Sequence, residues 1–205
     1  MAVPPPAYPP AHGLLKGKTV LITAAAGTGI GFSTAKRCAE EGAAIFISDV
    51  HERRLGEAVA KIEAETGVKA FSHLCNVTKE DQVRALVAAA VEQMGHVDVL
   101  VNNAGLGGSA PLVEMTDEQW NIVMDVTLTG TFRMMRAMLP HMMERKAGII
   151  VNNASVLGWR AQKLQSHYAA AKAGVMALTR CAAVEAAEYG VRINAVSPVW
   201  RCTSS

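Results

Sequence analysis

Three residues stand at spacings that could do acid–base chemistry on an oxygen: Ser155, Tyr168 and Lys172. Tyr168 and Lys172 lie four apart in an alanine-rich run, Tyr168-Ala169-Ala170-Ala171-Lys172. On a helix that spacing puts both side chains on one face. A free phenol has a pKa of about 10. An ammonium beside it favours phenolate and draws that value toward neutrality, so the pair could trade a proton with a substrate oxygen near neutral pH. Ser155 follows the apolar run Gly148-Ile149-Ile150-Val151, and a hydroxyl at such a strand end could hydrogen-bond the same oxygen. Proton exchange at a carbonyl or carbinol oxygen needs a partner event at carbon, and hydride transfer to a nicotinamide is the natural one. A Tyr-x-x-x-Lys pair alone is equally a half-buried tyrosine above a solvated lysine, so the surrounding elements must decide.

Those elements alternate. Apolar runs predict strands at residues 18–23, 43–48 (ending at Asp49), 69–75, 97–101, 149–153 and 191–196. Between them, helical patterns cover residues 32–41, 53–65, 78–94, 116–144 and 165–189. Thr78 reads as the cap of the third helix, and Thr116-Asp117-Glu118-Gln119 as a helix start. Short apolar strands joined by helical crossovers mean an α/β, doubly wound parallel sheet of Rossmann type.

In such a sheet ligands sit at the carboxyl ends of the strands, and the other notable residues fall there. Thr23 ends the first strand. Gly27-Thr28-Gly29-Ile30-Gly31 follows it and opens a helix. Small residues there let the backbone approach a pyrophosphate at a helix N-terminus; the plain alternative is a tight turn with no ligand. Asp49 stands about 20 residues beyond the glycines, where an acid can bind a ribose diol. A carboxylate there repels a ribose 2′-phosphate, which favours NAD over NADP, although Arg53 and Arg54 nearby could accommodate one. Asn76-Val77 ends the third strand, where an amide could meet an adenine edge, and Asn103-Ala104-Gly105 allows close approach after the fourth. Trp159-Arg160, between Ser155 and Tyr168, either faces substrate or forms an exposed loop tip. His167 reads as a surface helix residue, and the methionines at 134, 135, 138, 142 and 143 as helix packing.

Together these motifs resemble the short-chain dehydrogenase/reductase family over residues 16–198. The resemblance rests on Thr23-x-x-x-Gly27-x-Gly29-Ile30-Gly31, Asp49, Asn102-Asn103-Ala104-Gly105, Ser155, Tyr168-x-x-x-Lys172 and Asn194-Ala195-Val196-Ser197-Pro198. It implies a nicotinamide cofactor, with Tyr168 as acid/base, Ser155 orienting the substrate oxygen, and Lys172 binding the nicotinamide ribose and lowering the tyrosine pKa. It also implies cofactor contacts from Thr23, Gly27, Thr28, Gly29, Ile30, Asp49, Asn76, Val77, Asn103, Ala104, Gly105 and Pro198. Residues 24–31 and 152–162 look most like actinobacterial reductases of steroid-ring breakdown, which act on hydroxy or keto groups of bicyclic coenzyme A thioesters. A neighbouring resemblance is to 3-oxoacyl-carrier-protein reductases. The family's Thr-Gly opening is Thr23-Ala24 here, its acid after the third strand is Asn76, its asparagine before Leu-x-Gly is Thr127, and its glycine after Pro198 is Val199.

The balance of the chain sets bounds. With 205 residues and a net charge of +2, it is sized for one domain and shows no basic run pointing to nucleic acid. No apolar run reaches the roughly 18 residues of a membrane span. The four cysteines lack metal-like spacing and read as reduced thiols, Cys38, Cys75 and Cys181 in apolar surroundings, which suits a cytoplasmic protein without a metal. Residues 1–13 hold five of the eight prolines and read as a flexible leader to a domain at residues 14–205. The ending, Trp200 to Ser205, reads like a truncation: family members continue through a substrate-binding segment and a last strand. The sheet is therefore expected to lack that strand, with its sixth strand open at the edge. A truncated module that only binds nucleotide or a partner subunit is the alternative to an active enzyme. Small residues on the long helices suit a homodimer or homotetramer acting on a small-molecule substrate.

Overall fold

The computed structural model describes residues 7–199; the expected ending at Trp200–Ser205 and the first six residues of the leader lie outside them. Six strands form one parallel sheet: β1 (Thr19–Thr23), β2 (Ala44–Asp49), β3 (Ala70–Leu74), β4 (Val99–Asn102), β5 (Gly148–Asn153) and β6 (Val191–Val196). Their order is β3-β2-β1-β4-β5-β6. Each crossover is helical: α1 (Ile30–Glu40), α2 (Glu52–Thr66), α3 (Glu80–Met94), α4 (Asp117–Met124), α5 (Gly130–Glu144) and α6 (Ser166–Ala187). This is the doubly wound, Rossmann-type architecture that the alternation implied.

Strand alternation divides the core into two layers. Val20 and Ile22 of β1, with Ile45 and Ile47 of β2, face α1 and α2 through Phe32, Ala35, Leu55 and Ile62. Leu21, Phe46, Leu100 and Ile150 face the other way, onto Leu86 of α3 and onto Met134, Met138 and Met142 of α5. The methionines are thus core packing, as expected. β6 is the edge of the described sheet, and its Arg192, Asn194 and Val196 are exposed on one face.

Three local expectations need correction. The long helix at 116–144 is two helices joined by a wide π turn at Asp125–Thr129, the kind of bulge that marks a helix bent to a tertiary demand. The Thr116 capping box at its start is present, with Gln119 closing it. Thr78 caps nothing: both its backbone N–H and its hydroxyl donate to Asn76 Oδ1, at 3.0 and 2.9 Å. The asparagine therefore organises that turn, and Lys79 precedes the helix without a side-chain cap. Cys75 is a buried thiol, Cys38 is half-buried and Cys181 is exposed; burial pushes the first two up to about 11.

The described part of the leader is tied down. Tyr8 donates to Glu40 at 2.7 Å, and Arg37 donates to the carbonyls of Pro9 and Pro10 at 2.7 and 2.9 Å. The backbone N–H groups of His12 and Leu14 both donate to the buried Glu41 carboxylate, whose pKa they hold below the usual carboxylate range. Composition could not reveal these partners, which sit on α1. No helix among the described residues is long and apolar enough to cross a membrane.

Candidate active site

The strand order reverses between β1 and β4, and at that switch point the carboxyl ends of the strands open into a crevice. Every expected site residue lies along that edge or on the facing end of α6. A cavity of about 870 Å³ there is lined by Ser155, Tyr168 and Lys172, with Ile30, Asn103, Gly105 and Pro198 among the other walls. Thr23, Gly27, Thr28, Gly29, Asp49, Asn76, Val77 and Ala104 are placed at the same sheet edge but not on that wall.

Two asparagines and a threonine lock the crevice floor. Thr23 is buried, and its hydroxyl accepts from the backbone N–H groups of Asn103 and Ala104, both at 3.0 Å. Asn103 Nδ2 returns the bond to the carbonyls of Thr23 and Ala24, at 3.2 and 3.0 Å. Asn153 Nδ2 donates to Asn103 Oδ1 at 2.9 Å. Deeper, Asn102 donates to Asn152, its partner in register, and Asn152 donates to Thr179. The Asn-Asn doublets closing two otherwise apolar strands were the available signal for this network, since amides in register on neighbouring strands can satisfy each other. Asn153 itself was not singled out; its Oδ1 is buried without a donor on the cavity wall.

Ser155 follows β5 in extended conformation, φ −164°, and its Oγ accepts from Leu157 N at 3.2 Å. Tyr168 and Lys172 share a face of α6, as the spacing required, with Lys172 Nζ 5.5 Å from the centre of the phenol ring. The expected lowering of the tyrosine pKa is absent in this geometry. Burial raises it above the ordinary phenol value, and the hydrogen bond from Ser155 only opposes that rise. Lys172 beside it is 3% exposed and donates to the Asn153 carbonyl. Its own burial pushes it down to about 8, so it is a weakened cation aimed at a backbone oxygen.

The loop after β4 runs close beside α6. A methyl group on Gly108 would stand 2.9 Å from His167 Nε2. His167 is therefore buried rather than on the surface, 1% exposed, with Nδ1 unpartnered; helical phase alone could not show that a loop covers it. Gln165 Nε2 donates to Gly108 O at 2.6 Å and to Ser109 Oγ at 3.1 Å, fastening the loop to the helix start. Thr127, fully buried in the π turn, both accepts from Leu106 N and donates to Leu106 O. Trp159 and Arg160 part company: Arg160 faces the main cavity, whereas Trp159 is 67% exposed and borders a separate hollow with Arg180 and Asn194.

A parallel sheet with this switch point and a Ser–Tyr–Lys cluster at it define a class of protein. The chain belongs to the short chain dehydrogenase family, whose model matches residues 18–204, and is a nicotinamide-dependent oxidoreductase. Among its relatives, the (5R,7aS)-5-hydroxy-7a-methyl-1-oxo-2,3,5,6,7,7a-hexahydro-1H-indene-carboxyl-CoA reductase of Mycobacterium tuberculosis is 62% identical over 91% of this chain and 72% of its own length. The 3-oxoacyl-acyl-carrier-protein reductase FabG of Thermotoga maritima is 41% identical over 90% of this chain and 74% of its own. The crystal structure of a short chain dehydrogenase from Mycobacterium smegmatis superposes with a TM-score of 0.91 at 60% identity, covering 94% of this chain and 81% of that one. NAD+-bound xylitol dehydrogenase superposes with a TM-score of 0.87 at 38% identity, covering 90% and 71%.

The residues present fit a nicotinamide dinucleotide. Helix α1 begins after Gly29 with no side-chain cap, so its first N–H groups remain for an anion. Gly27 takes φ +103°, which the turn into that helix needs and few other residues adopt. The orphaned Asn153 Oδ1 offers an acceptor on the cavity wall.

Proposed function

We propose that this enzyme interconverts a hydroxy and a keto group on an apolar substrate carried as a thioester, with NAD as the preferred cofactor. The observation that carries the reading is the convergence of Ser155, Tyr168 and Lys172 on one cavity at the switch point. The nicotinamide, when bound, supplies or accepts the hydride at carbon. The chain's own groups handle the oxygen. The Ser155 hydroxyl donates to it and orients it. The Tyr168 hydroxyl gives it a proton in reduction, and the Tyr168 phenolate takes one back in oxidation. Lys172, held by the Asn153 carbonyl, meets the ribose beside the nicotinamide, and its charge favours the phenolate once a ligand fills the space around it.

The remaining cofactor contacts follow from placement. The turn Gly27-Thr28-Gly29-Ile30 takes the pyrophosphate at the start of α1, with Thr23 buried behind it as support. Asp49 takes the adenosine ribose, Asn76 and Val77 the adenine side, and Asn103, Ala104, Gly105 and Pro198 the nicotinamide half. The relatives point to the substrate class. The M. tuberculosis protein is named for a bicyclic carboxyl-CoA, and we place the present substrate with it. A 3-oxoacyl group on a carrier protein, as in the FabG relatives, is the second reading. Assay of the purified chain with NADH and NADPH against bicyclic keto-CoA thioesters, 3-oxoacyl thioesters and simple ketones tests both. Turnover of simple ketones alone would remove the thioester reading, and no turnover of any would remove the oxidoreductase assignment of this site.

We also infer a homodimer or homotetramer joined through α4, α5 and α6, where Trp120, Ile122, Phe132 and Val184 are exposed. Light scattering at micromolar concentration decides it, and a monomer there ends the idea.

A further inference from the structure

The charge on the cavity wall is one-sided. Among the described residues two cations, Arg160 and Lys172, line the cavity, and no aspartate or glutamate does. Lys172 is committed to the Asn153 carbonyl. Arg160 has no such engagement. Arg37, Arg53, Arg84, Arg133, Arg136 and Arg145 each hold a carboxylate; Arg160 holds none among the described residues.

Its backbone, by contrast, is fixed. Residues Val156–Gly158 form a short helical turn straight after Ser155, and Arg160 N donates to Val156 O at 2.8 Å. The guanidinium is thus carried on a structured turn five residues beyond the serine, by an exposed residue that lines the cavity. Between the two in sequence, Val156 and Leu157 give the wall an apolar stretch, which Ala161 and Val199 extend, with Gln162 and Gln165 as neutral polar neighbours. An apolar stretch beside the reacting oxygen, ending at an uncommitted guanidinium, is complementary to an apolar body that carries an anion. The planar fork of arginine matches phosphate and carboxylate geometry in a way a lysine does not. The pyrophosphate of the cofactor has its own place, at the start of α1 across the crevice.

We infer that Arg160 is a specificity-determining residue: it anchors an anionic group on the tail of the substrate and so selects a ketone or alcohol bearing such a tail over a neutral one. The inference rests on the oxidoreductase reading above. Both a thioester's nucleotide phosphates and a free carboxylate have the required chemistry.

Three probes separate these cases: acetoacetyl-coenzyme A, acetoacetate and ethyl acetoacetate, each assayed with saturating NADH on the full chain, its Arg160→Ala variant and its Arg160→Lys variant. Charge-assisted, bidentate bonds are strong, so Arg160→Ala is expected to raise KM for the anionic probe about tenfold more than for the ethyl ester, with the ratio of their kcat values held. Arg160→Lys is expected to recover part of that loss. An effect on acetoacetyl-coenzyme A alone assigns the anion to phosphate, and an equal effect on acetoacetate assigns it to carboxylate. Raising the salt should weaken the wild-type preference and leave that of Arg160→Ala flat. The same KM change for charged and neutral probes overturns the inference.

A second measurement does not need turnover. Calorimetric titration of coenzyme A into the NADH-saturated protein should show about tenfold weaker binding in Arg160→Ala; equal affinity, together with equal KM for acetoacetate, overturns the role. If no probe is turned over by the wild type while coenzyme A binding depends on Arg160, the anion site stands and the oxidoreductase reading falls.

Discussion

The Ala24 carbonyl oxygen occupies the space that a Cβ on Gly31 would need. Ala24 is itself in the left-handed region, φ +50°, and the same carbonyl accepts from Asn103 Nδ2 at 3.0 Å. The first turn of α1 therefore seats directly on the end of β1, with Asn103 filling the remaining gap. Gly31→Ala is expected to displace both groups, lower the melting temperature and weaken NADH binding. An unchanged melting curve with unchanged affinity would contradict the contact. Ala24→Gly tests the other side. A left-handed residue with a Cβ costs roughly 1–2 kcal/mol, while glycine gives back part of that through unfolded-chain entropy. A small rise in melting temperature is expected, and a fall would count against the strain.

Tyr168→Phe removes the proton donor and little else. Turnover should drop to about a hundredth of wild type or less, the usual scale of general acid–base catalysis. NADH titration should be nearly unchanged. Turnover above about a tenth of wild type would remove Tyr168 from the acid/base role.

Asp49 is expected to set cofactor choice. Its two carboxylate oxygens accept from the N–H groups of Ala26 and His51, at 3.2 and 3.1 Å, which holds the carboxylate beside the turn that leads into α1. NADH should bind more tightly than NADPH, and Asp49→Ser should level or reverse the order. Because the substitution also releases two turn amides, some loss of thermal stability should accompany it. Equal wild-type affinities for the two cofactors, at one ionic strength, would end this assignment.

Lys172 makes stability depend on pH in a direction that can be read from its burial. Its folded-state value is pushed down to about 8 from 10.5. Below about 8 both the folded and the unfolded chains carry the proton, and the folded form bears the whole penalty of a buried charge. Between that value and 10.5 the unfolded chain binds more protons, so this group's contribution to stability rises with pH. Lys172→Met should therefore be most stabilising, relative to wild type, at neutral pH, and should lose that advantage toward about pH 9.5. Melting temperatures of both proteins across this range provide the check; a difference that does not move with pH would mean that Lys172 does not titrate there.

The sheet and the order of its crossovers were legible because each strand is a short apolar run and each crossover has its own helical period. That Ser155, Tyr168 and Lys172 would meet at one cavity was legible for the same reason: strand end, helix face and four-residue spacing are all local. What stayed hidden depends on partners far along the chain. His167 looks exposed until the Gly108 loop covers it. Thr78 is the local exception: it looks like a cap, but Asn76, two residues before it, claims its hydroxyl. The Tyr168 pKa looks lowered until the phenol itself proves buried by the fold around it. The proline-rich leader looks free until Glu41 is found under it.

The π turn at Asp125–Thr129 also has a bearing on which changes in length this chain could tolerate. Each residue of a helix advances its phase by about 100°. The extra residue in that turn lets Thr127 point at Leu106 while Met134, Met138 and Met142 still point at the sheet. Removing any one residue between Met124 and Gly130 would swing one of these faces out of phase. Either the threonine would release the loop that borders the main cavity, or the methionines would leave the core. Substitutions along this stretch could be absorbed singly, but insertions and deletions would couple the loop after β4 to the packing of an entire helix.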